Sequence, residues 1–191
     1  MKRFALVTGI LALAAPLALA QTSTWAIDPA HSEVSFTVRH MSVSNVHGRF
    51  GNLSGKILLN EADVTKSLVQ VTIDATSVDT GVAMRDADLK SPNFFDTTTF
   101  PSASFTSTSV ARNGSNLTIT GSLTVHGVTK PVVLNVEGPS GPAPGMDHKP
   151  HSGYTATTTI KRADFGIGGN YPGSVVGDDI ALVIELEVVK Q

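Results

Sequence analysis

Apolar and polar residues alternate with a period of two through most of the chain beyond position 21. Val34, Phe36 and Val38 are separated by Ser35 and Thr37 and flanked by Glu33 and Arg39. A backbone that sends successive side chains to opposite faces makes such an order a strand with one buried and one wetted side. The pattern returns at Leu53, Ile57 and Leu59, at Val69, Val71, Ile73 and Ala75, and at Ala103 and Phe105 behind Pro101. It continues at Leu117, Ile119, Gly121, Leu123 and Val125, and at Val132, Leu134 and Val136 behind Pro131. Tyr154 to Arg162 alternates with threonine, and Ile180 to Val189 is apolar on nearly both faces. Valine and threonine dominate these runs, as suits a pleated, half-buried surface.

About eight strands at meander-like spacing predict an all-β sandwich or barrel. Both architectures satisfy the period. An eight-stranded antiparallel barrel has an interior just wide enough for side chains or one slender ligand. Asn113-Gly114 is a hairpin signal between two of the runs. One helix is predicted, from Val82 to Lys90, with Thr80 as its cap and Ser91-Pro92-Asn93 as its end. Gly138 to Gly153 holds four prolines, four glycines and two histidines, which reads as a long surface connection between strands.

The first twenty residues follow a different rule. Lys2 and Arg3 precede an almost wholly apolar run from Phe4 to Leu19, and Ala18-Leu19-Ala20 offers the small-x-small pattern of a cleavage site. The run is short for a membrane span. It predicts a secretory signal over residues 1–20, cut after Ala20, with residues 21–191 forming a single exported domain that has no transmembrane segment. Without Lys2 and Arg3 the 14 basic residues become 12, against 16 acidic ones. That balance, with no basic cluster, argues against nucleic acid and anionic membrane surfaces as partners. The chain has no cysteine, so thiol catalysis, zinc-thiolate sites and disulfides are excluded.

Candidate chemistry is sparse. Gly51-Asn52-Leu53-Ser54-Gly55 has the wrong spacing for a nucleophile elbow. Gly166-Ile167-Gly168-Gly169 starts like a dinucleotide loop, but Tyr171 stands at the third glycine position; the glycines instead suit a tight turn beside Phe165. Asp147, His148 and His151 lie together in the proline-rich stretch, where loop histidines are usually solvated, so no metal site is assigned to them. His31, His40, His47 and His126 are dispersed at strand ends and suit turn-ordering hydrogen bonds. Asp86 with Asp88 and Asp178 with Asp179 are neighbours in sequence, whereas acid–base catalysis needs groups opposed across a cleft. With no catalytic constellation and an excess of apolar residues, the sequence favours a binding protein.

Several strings in fixed order carry a family resemblance. Trp25-Ala26-Ile27-Asp28-Pro29-Ala30-His31-Ser32 runs into Val34-Ser35-Phe36-Thr37-Val38-Arg39-His40, and Gly48-Arg49-Phe50 and Leu53-Ser54-Gly55 follow. Ser77-Val78-Asp79-Thr80-Gly81, Arg85-Asp86-Ala87-Asp88-Leu89-Lys90-Ser91, Phe94-Phe95-Asp96 and Phe100-Pro101 come next. Leu123-Thr124-Val125-His126-Gly127-Val128-Thr129-Lys130-Pro131-Val132 and Arg162-Ala163-Asp164-Phe165-Gly166 complete the series. In this order the chain resembles the YceI-like family, periplasmic polyisoprenoid-binding proteins of bacteria. The resemblance implies a lipocalin-like, eight-stranded antiparallel barrel with a short helix in an inter-strand excursion. It implies a homodimer in the periplasm and an isoprenoid lipid, such as a polyprenyl phosphate or a quinone-like tail, held in the barrel, with no other cofactor. The stretch 139–152 is the clearest departure from the family pattern.

Ten residues are then the candidate ligand-binding set. Phe36 and Val38, Val71 and Ile73, and Leu117 and Ile119 share inward faces by parity; Phe94, Phe95, Phe105 and Phe165 are the bulky candidates for cavity wall or plug. Arg39, Arg49 and Arg85 suit either a phosphate headgroup or ion pairs with Asp28, Asp86 or Asp96. Two other readings stand beside the carrier: an enzyme acting on a lipid headgroup through His31, His40 or His126, and a filled-barrel stress or partner-binding protein.

Overall fold

The computed structural model describes residues 21–191; the signal sequence expected over residues 1–20 lies outside the described residues. Ten strands are present: β1 (Thr22–Ile27), β2 (Glu33–His40), β3 (Ser44–Phe50), β4 (Leu53–Asn60), β5 (Leu68–Asp74), β6 (Ser102–Asn113), β7 (Asn116–Val125), β8 (Val128–Pro144), β9 (Pro150–Lys161) and β10 (Val176–Lys190). One helix, α1 (Ala83–Lys90), lies in the excursion between β5 and β6.

Strands β1, β4, β5, β6, β7, β8, β9 and β10 pair in that order, and β1 returns to β10. The result is the closed, eight-stranded antiparallel barrel that the family resemblance implies, which settles the choice between sandwich and barrel that alternation left open. Closure removes the unpaired edge that an open sheet would expose. The seam is short, resting on Trp25 opposite Lys190, Ala26 opposite Val189 and Ile27 opposite Val188. The rest of β10 pairs with β2, with Leu182 opposite Phe36. The β2–β3 hairpin therefore extends the wall at the end of the barrel away from the seam. There Arg49 forms an isolated bridge with Asp79, which ties the excursion to β3.

Alternation sets the core. Along β7, Leu117, Ile119 and Leu123 are buried, with Gly121 in phase, while the residues between them are partly exposed. Leu53 and Val188 are completely buried. A bulge between Ser107 and Ser109 interrupts the β6–β7 ladder, and the buried Ser107 hydroxyl accepts from the Val69 N–H at 2.9 Å. The side chain thus satisfies a backbone donor that would otherwise be stranded in the core.

Two sequence expectations are corrected. The stretch 138–153 is not a long loop: β8 runs to Pro144, β9 starts at Pro150, and the turn between them is short. Register shifts at Glu137/Ser140 and Ser140/Ala143 explain its composition. Gly138 and Gly141 adopt positive φ at these bulges, which only glycine does readily, and Pro139 and Pro142 follow them where the regular ladder is interrupted. Nor does Thr80 cap α1. Val82 holds the cap position without a side-chain hydrogen bond. Thr80 is instead gripped from the helix: its N–H donates to Asp86 Oδ1 at 2.8 Å, and its hydroxyl accepts from Arg85 Nε at 2.7 Å.

Candidate functional site

The barrel encloses two adjoining apolar chambers. The lower, of about 110 Å3, lies among β4 to β10, between walls such as Ile57, Val69, Val132 and Ile184. The upper, of about 130 Å3, lies between β2 and β10 and the excursion that covers them, which contributes Leu89, Phe94 and Phe95. Val34, Ile73, Leu123 and Leu182 border both chambers and form the waist between them. Polar side chains are few: Ser67, Tyr154 and Thr158 in the lower chamber and Arg162 in the upper. Burial holds the Tyr154 phenol above its ordinary pKa, so it stays neutral there.

Aromatic rings build the upper wall. Phe36 and Phe50 have centroids 5.6 Å apart, and Phe50 meets Phe95 edge-on at 5.3 Å. Phe94 stacks on Tyr171 at 5.0 Å. Beyond these rings a mainly apolar groove of about 210 Å3 shares Phe36, Val38, Leu89 and Phe94 with the upper chamber and adds Arg39, His40, Arg85 and Asp88 at its border. Arg39 donates to Asn45 Oδ1 at 3.2 Å and to the Ser42 carbonyl at 3.0 Å. Arg85 donates to the Thr80 hydroxyl and, at 2.9 Å, to the Thr80 carbonyl. Both guanidinium groups thus meet neutral oxygens. Arg49 differs, pairing with Glu33 at 3.5 Å and Asp79 at 3.3 Å. The Gly81 N–H, followed by Arg49, holds the Asp79 carboxyl below its ordinary pKa.

The structure distributes the ten candidate residues as follows. Val71, Phe105, Leu117 and Ile119 line the lower chamber, Ile73 stands at the waist, and Phe36, Val38, Phe94 and Phe95 line the upper chamber. Phe165 borders neither: it is 2% exposed, in the helical turn after β9, and its carbonyl sits 3.2 Å from His126 Nδ1. It packs the core, which corrects its place in the set. The waist residues Val34, Leu123 and Leu182 were absent from that set. Their parity with Phe36 and Val38, with Leu117 and Ile119, and with Ile180 and Ile184 was the available signal. Arg162, 6% exposed, was also absent from it.

The histidines disperse in part. His126 orders the β7–β8 turn, and His47 Nδ1 lies 3.0 Å from the Thr37 hydroxyl. His31 joins Asp28 at 2.9 Å near the far end of β10 from the groove.

Closed antiparallel strands around an apolar, chambered interior define a β-barrel of the small-ligand-binding kind. The YceI-like domain model matches residues 25–188, and the chain belongs to that family. It is 39% identical to protein YceI of Shigella flexneri over 166 residues, covering 84% of this chain and 83% of that protein. The crystal structure of Burkholderia cenocepacia BcnA superposes with a TM-score of 0.75 at 27% identity, over 84% of this chain and 98% of that one. A polyisoprenoid binding domain from Saccharophagus degradans, implicated in plant cell wall breakdown, shares the fold with a TM-score of 0.65 at 20% identity, over 90% of this chain and 100% of its own.

Proposed function

We propose that this protein is an exported carrier that holds an isoprenoid chain across the two chambers, with the headgroup in the groove beside Arg39 and Arg85. The observation that carries the reading is that the three hollows adjoin: the lower and upper chambers share the waist residues, and the upper chamber shares Phe36, Val38, Leu89 and Phe94 with the groove that Arg39 and Arg85 border. The polyisoprenoid-binding description of the Saccharophagus domain supports the ligand class. Lys2, Arg3, the apolar run and Ala18-Leu19-Ala20 support export to the periplasm. Among the described residues no helix is long and apolar enough to cross a membrane. The carrier acts as a homodimer in this reading, which sedimentation velocity tests directly.

Magnitudes sharpen the proposal. An apolar cavity of about 150 Å3 accepts a benzene-sized group, so each chamber seats about one five-carbon isoprene unit. Each unit offers about 4 kcal/mol of burial, at roughly 0.8 kcal/mol per methylene. Two units therefore gain about 8 kcal/mol, which lies within the cost of association, about 4–15 kcal/mol. Firm retention requires a longer chain, seated by rotation of the waist side chains. A polyprenyl phosphate of many units is expected to copurify, whereas a two-unit geranyl compound binds weakly.

The test is mass spectrometry of an organic extract from protein isolated from the producing cells. An isoprenoid in near-stoichiometric amount is the expected result. A folded sample that carries no lipid and takes up none from added polyprenyl phosphate overturns the reading. A second prediction follows from the waist. Ile73→Trp fills the passage between the chambers, at a stability cost of about 1–3 kcal/mol for overpacking. The melting transition survives that cost, while the extracted isoprenoid falls at least several-fold and shifts to shorter chains.

A further inference from the structure

We infer that the β1–β10 seam carries a binding site for a borderline divalent cation of the Zn2+ class, formed by Asp28, His31 and Glu187. The three side chains come from two separate parts of the chain. Asp28 and His31 sit in the turn between β1 and β2, and Glu187 sits near the end of β10. One ligand atom from each lies within 4.8 Å of the others. Tetrahedral ligands at about 2.0–2.1 Å from zinc stand about 3.4 Å apart, so the widest separation closes by up to about 1.4 Å while the Asp28–His31 contact, at 2.9 Å, opens slightly. The His31 side chain, 65% exposed, is free to make these shifts, and the site opens onto a wide hollow from which water can fill the remaining positions.

The backbone and a neighbouring histidine preorganise the site. The Asp28 N–H donates to the Glu187 carbonyl at 2.9 Å, and the Glu187 N–H donates to the Ser32 hydroxyl at 3.0 Å. His151 in β9 holds Glu187 Oε1 at 2.6 Å through Nδ1 and Asp147 Oδ1 at 3.0 Å through Nε2. It thereby orients one of the carboxylates, as outer-shell partners commonly do. An imidazole with two carboxylates favours Zn2+, Ni2+ or Cu2+ over Mg2+ or Ca2+, which prefer all-oxygen sets. The place gives the ion a task. The seam rests on three residue pairs, and a cation joining Asp28 to Glu187 clasps it just beyond the last of them.

Untagged protein titrated with ZnCl2 by calorimetry, with the histidine ring resonances followed by NMR, tests the site. One-to-one saturable binding is expected, with the His31 ring most perturbed, and Zn2+ raises the melting temperature. His31→Ala, at an exposed position, melts like the parent without metal and loses the Zn2+ response. His151→Gln weakens binding about 10–100-fold. His148→Asn binds as the parent does. An absence of saturable binding overturns the site, as does Ca2+ binding as tight as that of Zn2+. Binding that survives His31→Ala and Glu187→Gln but fails in His148→Asn overturns it too, placing the ion on the β8–β9 tip.

Discussion

Replacing Arg162 by methionine is expected to remove about 4 kcal/mol of stability, the largest loss from any single surface or core change considered above. Arg162 opens the helical turn after β9 and is buried beside the upper chamber. Its guanidinium has five N–H donors, and the structure uses all five on backbone carbonyls. Nε donates to Gly177 at 3.1 Å, Nη1 to Ile167 at 2.9 Å and Gly168 at 2.6 Å, and Nη2 to Tyr171 at 2.7 Å and Val176 at 2.9 Å. One side chain thus folds the whole connection between β9 and β10 around itself. Methionine keeps the packing of the stem and strands the acceptors. The two buried bonds from Nη1 cost about 1–3 kcal/mol each when lost, and the three that water can reach cost less. Against a total stability of about 5–15 kcal/mol this is a large fraction. Urea unfolding measures it as a lower midpoint with an unchanged slope. Amide exchange should quicken first between residues 166 and 177. Arg162→Lys restores only part, because an ammonium carries three donors and lacks the planar fork. A midpoint within error of the parent would show that the connection holds without the clamp.

That clamp also shows where sequence reading stops. A carbonyl acceptor belongs to every residue alike, so nothing in the string Arg162-Ala163-Asp164-Phe165-Gly166 distinguishes a phosphate-binding arginine from one that grips its own backbone. The strands were far more legible, because their signal is a period within one segment. Eight of the ten were visible as alternating runs. The two that were not have physical reasons. β1 is short, and its buried positions include Ser23, which takes the Trp25 indole N–H at 2.9 Å. β3 reads Ser-Asn-Val-His-Gly-Arg-Phe, and Gly48 breaks its apolar alternation. The missing volume at Gly48 is supplied from the next strand, by Phe36 directly opposite. Periodicity along one strand cannot register a compensation across two. The bulges that absorb Pro139 and Pro142 escaped for the same reason, since register against β9 is not written in β8 alone. The cavity lining fared in between: the six candidates chosen by parity and three of the four chosen for their bulk line a chamber, while Phe165 is buried in the helical turn after β9, outside any alternating run.

The same compensation at Gly48 predicts how the cavity keeps its shape. Each chamber has a phenylalanine lying over a glycine of the neighbouring strand: Phe36 over Gly48 for the upper chamber and Phe105 over Gly121 for the lower. An aromatic ring covering a cross-strand glycine shields the bare backbone and pins the register. Here it also lays the ring along the wall and out of the lumen. A β-carbon added at Gly121 would overlap the Phe105 ring and stand 2.6 Å from the Thr106 carbonyl oxygen. At Gly48 it would overlap Phe36 and meet Thr80 Cγ2 at 2.8 Å. Gly121→Ala is therefore expected to cost about 1–3 kcal/mol as an overpacked core and to drive the Phe105 ring into the lower chamber. Extracted isoprenoid should fall several-fold and favour shorter chains. Gly48→Ala meets only side-chain atoms, so its stability cost is smaller, and its effect on the ligand appears at the upper chamber. The double variant Gly121→Ala with Phe105→Leu removes the clash with the ring by shortening the intruding side chain, and leaves the one with the Thr106 carbonyl. Because the two positions touch, their effects should not add, and the pair should recover both lipid and part of the stability lost in Gly121→Ala alone. Additive losses in the cycle, or full lipid loading in Gly121→Ala, would mean that the ring does not shape the chamber.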